Sequence, residues 1–305
     1  MRRFSSYGPL YPRSEFFVNR RALVDRVVTQ LVGHPGEARG HYFTIFAPRQ
    51  AGKTTTLREA VTRIKQQYGD QYNVGIATLH QVSDIRTFLP LIFDLAFEIK
   101  IDTPADWQGM HTMFGKDGPL KKPTILILDE FDGLPSDAIN DAVTFFRQLY
   151  LQRERYLLHG LALIGVHAVL GTLEKSNPPF NVQRSVHIPN LTHDEVVDLY
   201  GQYQRESGQL MEPDVVERIY DLMRGQPGLT CWFGEILTEK TNPADPTPYD
   251  ATTVPEGGYP PIRLELFEKA QKKAQYNLYA WLYQVSRQKL VITPEFRTCN
   301  GTADL

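Results

Sequence analysis

Two short clusters of residues in this chain could carry chemistry. The first is Ala47-Pro48-Arg49-Gln50-Ala51-Gly52-Lys53-Thr54-Thr55. A polyphosphate needs several donors converging on its oxygens, and a tight loop that opens a helix supplies backbone N–H groups together with the positive end of the helix dipole. In such a loop Gly52 allows close backbone approach, Lys53 reaches the β- and γ-phosphates, and Thr54 offers its hydroxyl to Mg²⁺. The second cluster is Asp129-Glu130, which ends the apolar run Thr124-Ile125-Leu126-Ile127-Leu128. Asp129 is placed there to bind Mg²⁺, usually through water, and Glu130 to orient or deprotonate an attacking water.

Both clusters need elements that hold them. His41 to Phe46 clusters β-branched and aromatic residues, as a buried strand does. Thr55 to Gln67 carries Leu57, Val61 and Ile64 at a helical spacing that packs one face on a sheet. Strand, loop and helix in that order are the context of a Walker A motif, although the strict pattern asks for Gly where this chain has Ala47. An exposed Gly-Lys-Thr loop with no ligand is the competing reading, and the flanking elements disfavour it. The run at 124–128 suits a central parallel strand covered on both faces, which delivers its acidic end to the edge where the loop emerges.

The remaining pattern alternates strands and helices. Tyr72–His80, Leu161–Val166 and Val186–Ile188 read as strands. A helix opening at Ser83 or Asp84 reaches Ile99 with Pro90 in its first turns, and Ser136 caps another bearing Ile139, Val143, Phe146 and Leu149. Thr103 to Lys122 shows no periodicity and reads as a long loop. His167 directly follows its strand and is a candidate sensor of the γ-phosphate, though a solvent-facing or structurally hydrogen-bonded His is the commoner outcome. Near the start, Asn19 can cap a helix with Leu23, Val24, Val27, Val28 and Leu31 on its apolar face. Val18, Asn19 and Arg20 are candidates to hold a base through their backbone, with a plain N-capped helix as the alternative reading.

The expected fold is α/β: a five-stranded, mostly parallel P-loop NTPase sheet with helices on both faces, followed by a small helical lid. Thr192 and Glu195 form a capping box, Pro213 starts a helix, Arg224-Gly225-Gln226-Pro227-Gly228 breaks it, and a further helix runs from Leu229 to Leu237. Residues 242–261 are dense in Pro, Gly, Asp and Thr, and a last amphipathic helix spans about 264–286. The division implied is an irregular arm at 1–16, a core at 17–190, a lid at 191–240, a linker or mobile loop at 241–262, and a helix with a tail at 263–305.

Composition narrows the class. The 305 residues, 42% hydrophobic, suffice for one sizeable α/β core and a smaller second domain. Net charge is −2, so no overall basic field points to nucleic acid. No long apolar run predicts a membrane span, and Met1-Arg2-Arg3-Phe4 lacks the apolar region of a secretion signal. Cys231 and Cys299 have no metal or redox spacing, which fits a reducing, cytoplasmic setting.

Taken together, the PRQ-Ala-GKTT loop, ILILDEFD, the LALIGV strand, Pro178-Pro179-Phe180-Asn181, the Thr192 helix start and Gly225-Gln226-Pro227 resemble bacterial AAA-like ATPases. The resemblance is to the signal-transduction (STAND) branch of P-loop NTPases and covers Phe17 to about Gln288. It implies ATP and ADP as ligands with Mg²⁺, and a slow ATPase acting as a conformational switch. It also implies a nucleotide-proximal role for Gly225 and Pro227, and assembly as a homo-oligomer or with a partner protein. Relatives often carry Arg where this chain has His167, and Arg153 or Arg155 could serve as an arginine finger. The alternatives are a DNA-associated AAA+ type ATPase and a nucleotide-bound scaffold without turnover.

Overall fold

The computed structural model describes residues 1–79, 85–100, 106–165, 185–246 and 254–272. They form two compact units, one of residues 20–47 and 53–188, the other of residues 1–19, 48–52 and 189 onward.

The first unit is a parallel sheet with helices. Its elements are α1 (Arg21–Val32), β1 (Tyr42–Phe46), α2 (Lys53–Tyr68), β2 (Asn73–Thr78), α3 (Ile85–Phe97), α4 (Trp107–Phe114), β3 (Thr124–Asp129), α5 (Ser136–Leu151), β4 (Leu158–Gly165) and β5 (Ser185–His187). The strand order is β2-β3-β4-β1-β5, and every pairing is parallel. β3 and β4 are buried along their whole length, which is why their sequences are continuous apolar runs rather than alternating ones. The register pairs Phe46 with Gly165 and with His187, and Thr78 with Asp129, so the strands end at a common carboxyl edge.

Two details differ from the sequence reading. The stretch 103–122 is not all loop: α4 lies within it, capped by the Asp106 carboxylate, which accepts from Gly109 N at 2.7 Å. Met110 and Phe114, one turn apart, bury themselves, while Trp107 meets the Phe145 ring at 4.8 Å. Neither Asn19 nor Ser136 acts as a cap. Arg20 and Pro135 hold those positions with no side-chain hydrogen bond, because each helix begins one residue away from where its polar residue would serve.

The second unit is helical, with α6 (His193–Ser207), α7 (Pro213–Met223) and α8 (Pro227–Glu235). The predicted capping box at Thr192 and Glu195 forms with both reciprocal bonds, and Pro213 opens α7. The N-terminal arm belongs to this core. Phe4 and Phe16 pack at 5.0 Å from each other, and Phe4 lies 5.0 Å from the Tyr200 ring. Each buried phenyl of that size contributes roughly 1.5–3 kcal/mol. Arg2 anchors the arm through an ion pair with Glu206 at 2.5 Å. Residues 264–272 are helical, and the rest of the predicted last helix lies outside the described residues. No helix among the described residues is long and apolar enough to cross a membrane.

Candidate functional site

The loop that follows β1 is shaped by two residues with left-handed backbone, Gln50 at φ 58° and Gly52 at φ 84°. Gly52 meets no crowding, so its requirement is conformational: a Cβ is strained at that φ. Ala47 N reaches Gly165 O at 3.4 Å, extending the β1–β4 ladder into the start of the loop. The small Ala47 and Ala51 side chains are buried, while Arg49 is exposed and Pro48, Gln50 and Thr55 are half-buried. α2 begins at Lys53, whose ammonium turns back to donate to the Ala47 carbonyl at 2.8 Å. The first N–H groups of a helix have no partner within the helix, the arrangement that accepts an anion.

The acidic cluster arrives from β3. Asp129 is 2% exposed, and its Oδ2 accepts from Thr54 Oγ1 at 2.8 Å. The other oxygen, Oδ1, accepts from Glu130 N at 3.0 Å. Glu130 itself is left-handed, at φ 58° and ψ 36°, and leads into a short 3₁₀ turn, Phe131–Gly133. For a residue with a Cβ that conformation costs about 1–2 kcal/mol, and such strain clusters at functional sites.

Asp132 was not singled out from sequence. A Cβ placed on Gly165 would sit 2.8 Å from Asp132 Cγ, so the glycine that ends β4 leaves room for this carboxylate over the carboxyl edge. The available signal is the third acid of Asp129-Glu130-Phe131-Asp132 combined with a Gly at the end of an apolar strand. At the same edge, His187 at the end of β5 lies 5.4 Å from the Phe46 ring.

Within the second unit, the turn between α7 and α8 meets the loop residues 48–52. Gln226 Nε2 donates to Arg49 O at 3.1 Å, and Gly228 N donates to Gln50 O at 3.1 Å. Gly225, at φ 67°, allows Leu191 N to reach its carbonyl at 2.7 Å; a Cβ there would lie 1.9 Å from Leu191 O. Pro227 is the first residue of α8. The bonds to the loop thus come from Gln226 and Gly228, while Gly225 and Pro227 shape the turn that presents them.

The other candidates are more dispersed. Val18 packs against the core of the helical unit, Asn19 is exposed, and Arg20 O accepts from Val24 N at 3.0 Å at the start of α1. His167 and the Pro178–Asn181 segment lie outside the described residues. Arg153 is engaged within the chain: it donates to Gly40 O at 2.5 Å and lies 4.7 Å over the Tyr150 ring, at the amino end of β1. Arg155 donates to Gln152 Oε1 at 3.2 Å.

The chain matches no protein-family model and no curated protein sequence. Solved structures do resemble it. A Walker-type ATPase of Pyrococcus abyssi superposes with a TM-score of 0.57 at 13% identity, covering 93% of this chain and 79% of the other. The ORC1 protein of Aeropyrum pernix in complex with DNA gives 0.51 at 16% identity, over 85% and 66%. Drosophila ORC bound to DNA gives 0.57 at 12% identity, over 87% and 63%. At such identities the likeness establishes the architecture: this is the fold of the P-loop NTPases, a five-stranded parallel sheet flanked by helices.

Proposed function

We propose that this protein binds ATP and hydrolyses it slowly with Mg²⁺, and that it works as a nucleotide-controlled conformational switch of the STAND type. The observation that carries this reading is the Thr54–Asp129 hydrogen bond. It joins the hydroxyl that follows Gly52-Lys53 to the buried acid at the end of a strand 75 residues later, the two groups that a hydrated divalent ion shares in such sites. The donors are all oxygens and one is a carboxylate, the set that suits Mg²⁺. Bound there with a nucleotide, the ion would neutralise charge on the phosphates.

The chain's own groups supply the rest. Residues 47–55 offer backbone N–H donors to the phosphates, and Lys53 adds one full positive charge against the β- and γ-oxygens. Asp129 holds the Thr54 hydroxyl in place. Glu130, beside it, is the proposed acid–base residue for water. Gly225 and Pro227 are the proposed nucleotide-proximal turn of a lid at 191–240, and the bonds from Gln226 and Gly228 to Arg49 and Gln50 support a lid that reads the state of the loop. Val18, Asn19 and Arg20 are proposed at the base, and His167 as the γ-phosphate sensor. The setting proposed is cytoplasmic, and the buried Cys231 thiol, pushed up to about 12 by burial, is inert there.

A second reading is favoured by one finding. Two of the similar structures are ORC proteins bound to DNA, so a DNA-associated AAA+ type ATPase is the alternative. The net charge of −2 weighs against it. Purified protein assayed for nucleotide binding and Mg²⁺-dependent turnover, with and without DNA, decides between them. Turnover unaffected by DNA, with different masses of the ATP- and ADP-bound assemblies, supports the switch. Stimulation by DNA supports the alternative, and binding without turnover supports a scaffold.

A further inference from the structure

We infer that His34, Glu37 and His41 form a binding site for a transition-metal ion of the Zn²⁺ class, at the opposite end of β1 from the phosphate loop. Each residue offers one ligand atom, and these atoms lie within 4.8 Å of one another. The three sit on the nine-residue connection between α1 (ending at Val32) and β1 (starting at Tyr42), with spacing His-x₂-Glu-x₃-His.

The connection is held at both ends. Gly33 N closes α1 on Thr29 O at 2.8 Å. At the other end His41 N donates to Gln30 O at 2.8 Å, and His41 O accepts from Leu161 N at 3.0 Å in β4. Between them a turn forms around Gly36 at φ 91°, with Glu37 N donating to His34 O at 2.9 Å. The Glu37 carboxylate is fixed inside this turn: its Oε2 accepts from His34 N at 2.8 Å and lies 2.8 Å from His41 Nε2. The His34 and His41 rings stand 5.9 Å apart, centre to centre. The site is accessible, since His34 and Glu37 are exposed and His41 is half-buried.

The donor set decides the metal. Two imidazole nitrogens and one carboxylate oxygen suit Zn²⁺ and its borderline neighbours rather than Mg²⁺ or Ca²⁺, which take oxygen. A tetrahedral ion with bonds of about 2.0–2.1 Å needs its ligand atoms roughly 3.3 Å apart. Glu37 and His41 are already that close, and His34, on the surface, reaches the position by a side-chain rotation. The ion would replace the proton between His41 Nε2 and Glu37 Oε2, which leaves to solvent, and water would fill the fourth position. Two cationic neighbours are directed elsewhere: Arg39 donates to Tyr156 O at 3.2 Å, and Arg153 to Gly40 O. β1 spans five residues, about 17 Å of strand, so a metal here is a clip between α1 and the sheet rather than part of the nucleotide chemistry.

Calorimetric titration of the full chain with Zn²⁺, in saturating Mg²⁺ and ADP to fill the proposed nucleotide site, tests this. Co²⁺ titration followed by visible absorption reports the ligand geometry. The expected result is one equivalent of Zn²⁺ and tetrahedral Co²⁺ bands in the wild type. His34→Ala and Glu37→Gln, both surface changes, should each weaken Zn²⁺ at least ~10-fold, the lower end of what even an outer-shell loss costs a metal site. Each should leave ADP affinity and the circular dichroism spectrum unchanged. Absence of Zn²⁺ binding in the wild type, or equal binding in His34→Ala, overturns the proposal whatever the outcome for ATP turnover.

Discussion

The side-chain amide of Gln226 works in two directions: its Nε2 donates to the Arg49 carbonyl at 3.1 Å, and its Oε1 accepts from Leu229 N at 2.5 Å. One residue therefore caps α8 and holds the backbone of the loop that follows β1. Gln226→Ala should cost about 1 kcal/mol as a lost cap. It should also change the rate of ADP release several-fold, whereas Pro227→Ala, which removes no hydrogen bond, should alter release more than stability. Fluorescent-ADP chase and urea unfolding measure the two quantities separately. Unchanged release with a large stability loss in both variants would reduce the turn to a helix break.

Lys53→Ala tests the phosphate loop directly. Lys53 is half-buried and its ammonium donates a hydrogen bond to Ala47 O, so losing it should change the unfolding free energy by ~1 kcal/mol, the net worth of such a bond. Triphosphate binding should be abolished or greatly weakened, because the full charge proposed to face the β- and γ-phosphates is gone. Equilibrium titration with ATP gives the answer, and wild-type affinity in the variant would take Lys53 out of its role.

Thr230 offers a stability prediction independent of nucleotide. It lies fully buried in α8, and its hydroxyl oxygen has no hydrogen-bond partner among the described residues. A buried polar group without a partner costs about 1–3 kcal/mol, and Val has the same shape without the hydroxyl. Thr230→Val should raise stability by ~1 kcal/mol and shift the urea midpoint upwards. A decrease would mean that the hydroxyl has a partner, such as bound water.

Much of the core was legible because its signals are local and strong. β3 and β4 declare themselves as unbroken apolar runs, and the capping box at Thr192 and the Pro at the start of α7 mark their helix ends by residue type alone. What escaped depends on partners far along the chain. α4 hides in a polar stretch because its burial rests on a few residues, such as Trp107 against Phe145. The arm reads as irregular, yet Phe4 and Phe16 are core residues because Tyr200 and Tyr203, some 190 residues later, receive them. Gln226 was visible only as part of a helix break. Nothing in Gly225-Gln226-Pro227 as a string announces a bond to Arg49 O.

Glu130 separates a switch from a scaffold. Its backbone is held in the left-handed region directly after Asp129, and its N–H is tied to the Asp129 carboxylate at 3.0 Å, so the direction of its side chain is set by the strand end rather than by chance. A carboxylate in that place is not needed to hold ATP, which the loop, Lys53 and Thr54 are proposed to grip. Its proposed value lies in positioning the attacking water. Glu130→Gln keeps the size and removes the charge, leaving the Asp129–Thr54 bond intact. ATP affinity should stay near wild type while steady-state turnover falls by ~10²-fold or more, the usual scale for a positioned acid–base group. The variant should accumulate the ATP-bound form, detectable by native mass measurement. Turnover equal to wild type would place the base elsewhere, and Asp132, over the same carboxyl edge, would be the next carboxylate to replace.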